Sequence, residues 1–305
     1  MSFQLMLAVV AGLFFSLIAL SYRINAARGV PPAFAALVMG AAGILWFGMR
    51  SFAGADAPGW SAPAMVWIWG AVNGLAQAFV VHLYRVGLRH GPLAPLWCAG
   101  NLTFVTPALY AVLLLSESLS GMQMAGMAAA FLCVTVSSMG HGEEPGPAGV
   151  TARASFKQRF FYGGILLMLT LLTGLVGVAL KHMTATFRQD MPLNPRYNDC
   201  FMLGMYFVMT LCLLDVIRKY GRPSLSWARL TLNGSIGGVG SVVGMVLTAK
   251  VSDLPGGVGF AVLSVSSVLG GALITSFGFH EKRGRAWYAT LALAVLSVVL
   301  FNMAR

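Results

Sequence analysis

Apolar residues fall along this chain in ten runs, near residues 3–22, 31–49, 64–86, 93–115, 123–139, 160–180, 200–217, 230–249, 256–279 and 287–301. Most approach the roughly 20 residues that a helix needs to cross about 30 Å of hydrocarbon. None shows the alternation of a lipid-facing strand, so the pattern predicts an all-α integral membrane protein with ten transmembrane helices. The stretches between runs, the longest being 140–158 and 181–199, read as loops too short for separate domains. The run at 3–22 lacks a basic leader and reads as the first membrane helix.

Composition agrees. Of 305 residues, 58% are hydrophobic and only 10% are charged, where a soluble domain carries about 25% charged residues. A surface so poor in charge suits lipid as solvent. The net charge is +11, but Arg28, Arg50, Arg89, Arg159, Arg222 and Lys282 lie between apolar runs, where headgroups and the positive-inside rule place them. No basic face interleaved with aromatics points to nucleic acid. Cys98, Cys133, Cys200 and Cys212 lie in apolar stretches without a C-x-x-C pair and read as packing residues.

The chain also repeats itself. A shift of 164 residues lays 96–139 on 260–303 without a gap, carrying Glu117 onto Glu281 and Pro107 onto Gly271. Five runs separate the copies, and an odd number inverts the second copy relative to the first. The expected organisation is therefore two inverted five-helix halves, 1–140 and 159–305, joined by a polar linker at 141–158. Such inverted repeats recur in secondary transporters, with the substrate site near the midplane between the halves.

The segment around Pro107, the turn Ser116-Glu117-Ser118-Leu119-Ser120 and Gly126 resembles the EamA-type repeat of the drug/metabolite transporter superfamily. A second copy of the pattern runs through Ser264, Gly270-Gly271 and His280-Glu281 to Asn302. The resemblance implies a ten-helix transporter of the cell (inner) membrane. The first run carries no acid, so it lacks the residue that small multidrug members of the superfamily use for proton coupling.

Several polar side chains stand out in the apolar runs. Asn73, Gln77 and Tyr84 share one helical face, and Thr103, Thr106 and Tyr110 share another, with Asn101 beside it. Polar groups inside a span tend to face the protein interior. With Ser264 and Ser267 they are the candidates for lining a substrate cavity, although hydrogen bonding between helices explains such residues as readily. Pro107 removes a backbone hydrogen bond and opens its helix, and Gly270 and Gly271 interrupt the related run. Glu117 and Glu281 read as caps of the helices that follow them. His82 reads as the one histidine well inside a span, on the face opposite Asn73. Gly234, Gly238, Gly240 and Gly244 form a close-packing stripe.

No phosphate loop, H-E-x-x-H or G-x-S-x-G pattern is present, so the expectation is a non-enzyme without metal or cofactor. Its partners would be a small-molecule substrate and the bilayer, with a homodimer left open. The expected function is a secondary transporter or facilitator of a small organic solute. The alternatives are a flippase-like translocator of a lipid-linked head group, and a non-transporting scaffold or intramembrane enzyme. Solute flux in proteoliposomes separates the first from the last, and a lateral opening between helices would mark the second.

Overall fold

The architecture is taken from a computed structural model. It describes residues 2–26, 28, 30–53, 56–90, 96, 99–139, 156–190, 196–220, 227–252, 254, 258–278 and 285–303. A helix occupies each of the ten apolar runs: α1 (Ser2–Ala26), α2 (Pro32–Phe52), α3 (Ala64–His90), α4 (Val105–Leu113), α5 (Gly121–Met139), α6 (Phe156–Asp190), α7 (Tyr197–Tyr220), α8 (Trp227–Val251), α9 (Val258–Gly278) and α10 (Arg285–Met303). A 3₁₀ turn, Gly59–Ser61, precedes α3. There is no strand among the described residues.

Six segments are long and apolar enough to cross a membrane: Phe3–Asn25, Ala33–Phe52, Ala64–Gly87, Phe160–Met183, Tyr197–Leu214 and Ala228–Val251. Shorter apolar helices fill Gly121–Val136, Val258–Ile274 and Tyr288–Phe301. Large apolar side chains such as Leu45, Ile68, Leu75, Leu132 and Phe207 are exposed on their outer faces. In water that surface would drive aggregation, whereas in lipid it is the expected exterior. The protein is a multi-pass helical membrane protein.

Three expectations need correction. The segment 181–199 is not a loop, because α6 continues through Asp190 and α7 starts at Tyr197. Likewise α6 begins at Phe156, inside the stretch read as linker; residues 140–155 lie outside the described residues. The fourth run is not one helix. Residues 99–101 are helical, 102–104 form a turn, and α4 then runs only nine residues. Pro107 is the cause. It cannot donate to the Thr103 carbonyl, and its ring crowds that carbonyl out of helical position. The turn is closed instead by short bonds from Leu102 N–H to Ala99 O and from Val105 N–H to Leu102 O.

The packing pairs interleave the two ends of the chain. α1 lies against α8 and α9, α6 against α3 and α4, α2 against α7 and α8, α3 against α7, and α5 against α10. Glycines bring the backbones together. Gly70 and Gly74 of α3 rest on α7 at Phe201, Gly204 and Met205, while Gly234 and Gly238 of α8 rest on α2 at Val38, Met39 and Ala42. At the α5–α10 crossing, Cys133 Sγ donates to the Thr290 carbonyl at 3.4 Å and Ser297 Oγ donates to the Gly126 carbonyl at 2.9 Å. Cys133 and Cys200 are buried free thiols and Cys212 a half-buried one, in keeping with packing residues.

The ends of the bundle are tied by polar contacts. At one end Arg50, in the last turn of α2, meets Asp199, in the first turn of α7, at 3.0 Å. At the other end Ser21 Oγ donates to the Asn233 carbonyl at 2.8 Å, and Asn233 Nδ2 donates to Asn25 Oδ1 at 3.2 Å. These join the C-terminal end of α1 to the N-terminal part of α8.

Candidate functional site

The break in the fourth run lies where three helices converge. α6 approaches it through glycine: a Cβ on Gly174 would stand 2.6 Å from the Thr106 side chain and 2.8 Å from the Thr103 carbonyl. One turn on, a Cβ on Gly177 would meet Pro107 at 2.8 Å and Phe260 of α9 at 3.1 Å. The carbonyl released by Pro107 therefore lies directly on the bare face of α6.

The threonine–tyrosine face that spacing predicts makes successive side-chain contacts with α6 and α9. Thr103 Oγ1 and Ser264 Oγ of α9 share a hydrogen bond of 2.9 Å. Thr106 Oγ1 donates to the Thr170 carbonyl of α6 at 3.3 Å, and Thr170 Oγ1 donates to the Ala99 carbonyl at 3.1 Å. Tyr110 Oη shares a 2.6 Å hydrogen bond with Nδ1 of His182. His182 Nε2 lies 3.5 Å from Thr186 Oγ1, and the ring stands 5.4 Å from that of Trp69 on α3. α6 also carries an ion pair. Lys181 Nζ donates to both Glu117 oxygens, at 2.8 and 2.9 Å, and its side chain is 3% exposed against 27% for Glu117.

Glu117 is held there by the termination of α4 rather than by the start of α5. Leu114 N–H and Leu115 N–H both return to the Tyr110 carbonyl, Glu117 N–H reaches the Ala111 carbonyl, and Ser116 takes φ +53 between them. The expected capping role belongs to other residues. Ser120 Oγ accepts from Gln123 N–H at 3.2 Å, and Gln123 Oε1 accepts from Ser120 N–H at 2.9 Å. That is a reciprocal capping box. Glu281 lies outside the described residues.

The other candidates are scattered. Asn73 is fully buried; its Nδ2 donates to the Trp69 carbonyl at 2.9 Å, and its Oδ1 is buried without a partner among the described residues. Gln77 and Tyr84 are half-buried. Tyr84 lies at Gly100, where only a glycine leaves room for its hydroxyl, and Asn101 is buried nearby in sequence. Ser267 is buried, and its backbone N–H lies where Gly12 of α1 crosses α9. Gly270 meets Ser16 of α1, while Gly271 faces open space. His82 is exposed and stacks on Phe79 at 6.0 Å between ring centroids.

Lys181, His182 and Trp69 were not legible as site residues from the pattern. The first two lie beyond the apolar core of their run, and only the continuation of α6 brings them under Tyr110 and Glu117.

No family model matches the chain, and no curated protein matches it. A crystal structure of a protein matches it over 100% of this chain and 98% of that one, with a TM-score of 0.68 at 19% identity. At that identity the likeness shows a shared fold.

Proposed function

We propose that this protein is a secondary transporter or facilitator of the EamA-like drug/metabolite type, moving a small organic solute across the cell membrane by alternating access. The observation that carries the reading is the interrupted fourth span. It is broken at Pro107, and there Thr103 meets Ser264 from the other half of the chain. Unwound backbone at membrane depth is tolerated where it is enclosed by protein or lines a cavity, and it marks binding sites in transporters.

The packing supports two inverted repeats of five spans, residues 1–140 and 159–305. Exchanging each helix with the one five places along carries α1–α8 onto α6–α3, α1–α9 onto α6–α4, and α3–α7 onto α8–α2. The same offset of 164 residues carries Gly70 and Gly74 onto Gly234 and Gly238, and it exchanges the two α5–α10 hydrogen bonds, Cys133–Thr290 and Ser297–Gly126. The C-terminal part of α6 meets the start of α3, and the C-terminal part of α1 meets the start of α8 at the opposite end. That is the relation expected of an inverted pair.

The test is solute flux in proteoliposomes. Thr103→Val and Ser264→Ala are expected to lower flux about tenfold each, while changing stability by only about 1 kcal/mol, the usual worth of one hydrogen bond. Unchanged flux in both variants removes the midplane site from the proposal.

Charge sets the expected orientation. Loops joining odd-numbered spans to the next hold 14 of the 20 Lys and Arg, and the remaining 6 lie in the other loops and at the C-terminus. Lys181 leaves the smaller group because it is buried in α6, so 5 remain. Basic residues are retained in the cytoplasm, so the termini and the Glu117 end are expected to face away from it. The related family usually keeps both termini inside. C-terminal fusions decide: alkaline phosphatase active and fluorescent protein dark bears out the charge count, and the converse shows the family habit prevailing.

A further inference from the structure

Lys181 is the only Lys or Arg that is buried among the described residues. An ammonium group inside a membrane protein is costly, and such groups mark substrate or ion pathways. The buried acid among the same residues is Asp199, held by Arg50 at the bundle end. A solute cation would therefore find no free buried carboxylate there, whereas an anion would find Lys181.

The two partners of the ion pair are held differently. Lys181 is fixed in the C-terminal part of a long helix and walled from water. Glu117 stands on an irregular segment after α4, partly exposed, with Ser116 in the left-handed region. If the pair opens, the carboxylate returns to water at little cost, but the ammonium is left without a counter-charge in a poorly solvating place. An incoming acidic group removes that second cost. The next residue along α6, His182, joins Tyr110 and Trp69 in a cluster of half-buried rings.

From this we infer that the solute is a small organic anion bearing a flat ring, whose acidic group takes the place of the Glu117 carboxylate on Lys181 while its ring lies against Trp69, Tyr110 and His182. The exchange conserves charge at Lys181. It also frees the segment carrying Glu117 from α6, which unlatches this end of the bundle. The inference rests on the transporter reading and names its substrate class.

Three probes of one shape test it on the full-length protein in detergent: benzoate, benzamide and benzylammonium, followed by thermal shift. Benzoate is expected to stabilise the protein saturably, with the other two at least about tenfold weaker, or about 1.4 kcal/mol. Glu117→Gln is expected to bind benzoate about fivefold tighter, because the competing carboxylate is gone. Lys181→Gln is expected to lose the response and Lys181→Arg to keep part of it. A merely structural ion pair predicts no gain in Glu117→Gln, and that variant, with the probe preference, carries the test if Lys181→Gln fails to fold. Absence of a benzoate response, equal responses to benzoate and benzamide, or unchanged or weaker benzoate binding in Glu117→Gln overturns the inference. Flux separates it from the transporter reading. Benzoate binding with these preferences but without uptake into proteoliposomes upholds the anion site and sinks transport. Uptake of benzamide in preference to benzoate upholds transport and sinks the anion site.

Discussion

Gly174→Val will destabilise the protein by about 3 kcal/mol, the upper part of the range for forcing extra carbons into a packed interior. A Cβ at this position would press on the Thr103 carbonyl and the Thr106 side chain together. The carbonyl is backbone, already displaced by Pro107, and has no rotamer to change. The helix must therefore move away from the break, taking Thr170 and His182 out of register with Thr106 and Tyr110. Flux should fall with stability. Gly163 and Gly164, on the same helix, meet nothing within 4 Å. Valine at either should leave stability unchanged or raise it by a few tenths of a kcal/mol, roughly the margin by which valine is the better helix former. Equilibrium unfolding of the three variants in mixed micelles compares them directly. Equal losses at Gly174 and Gly164 would mean that the close crossing adds nothing.

The second large effect is an asymmetry. Glu117→Ala should cost about 3 kcal/mol, because it strands a buried ammonium, and breaking one side of a buried pair is the expensive change. Lys181→Met should cost about 1 kcal/mol, since Glu117 is 27% exposed and regains water while a methionine fills the lysine's apolar surroundings. The double variant should resemble Lys181→Met alone. Thermal unfolding of the three proteins at neutral pH measures this. Equal costs for the two single variants would show that water reaches Lys181 as freely as it reaches Glu117.

The helices were legible because hydropathy alone reports them. In six segments the apolar composition suffices for a crossing. The break at Pro107 was legible too, since proline acts through its own backbone. What escaped was long-range. Lys181 and His182 look like loop residues by composition, and they become interior ones only because Glu117 arrives from 64 residues away. The capping assignment failed for a local reason. The Ser120-x-x-Gln123 spacing was present in the sequence, and it outcompetes Glu117, which stands too far before Gly121. Asn73, Gln77 and Tyr84 do share a helical face, yet α3 is wedged against both α6 and α7, so one face of it meets two environments.

The interleaved packing bears on how the protein can be made. α1 leaves the ribosome well before the helices it lies against, α8 and α9. Its glycine face at Gly12, which closes on Leu263 and Ser266, waits through the insertion of α2 to α8. During that interval the early helices are stable as separate spans, because each satisfies its own backbone in lipid, but α1 still lacks the neighbours it mainly packs against. The helices before residue 140 cannot finish their packing alone, because α1, α2 and α3 lie mainly against α7, α8 and α9. Quality control at the membrane would meet a late assembly step, and a truncation after α5 would leave inserted helices that never become a folded protein.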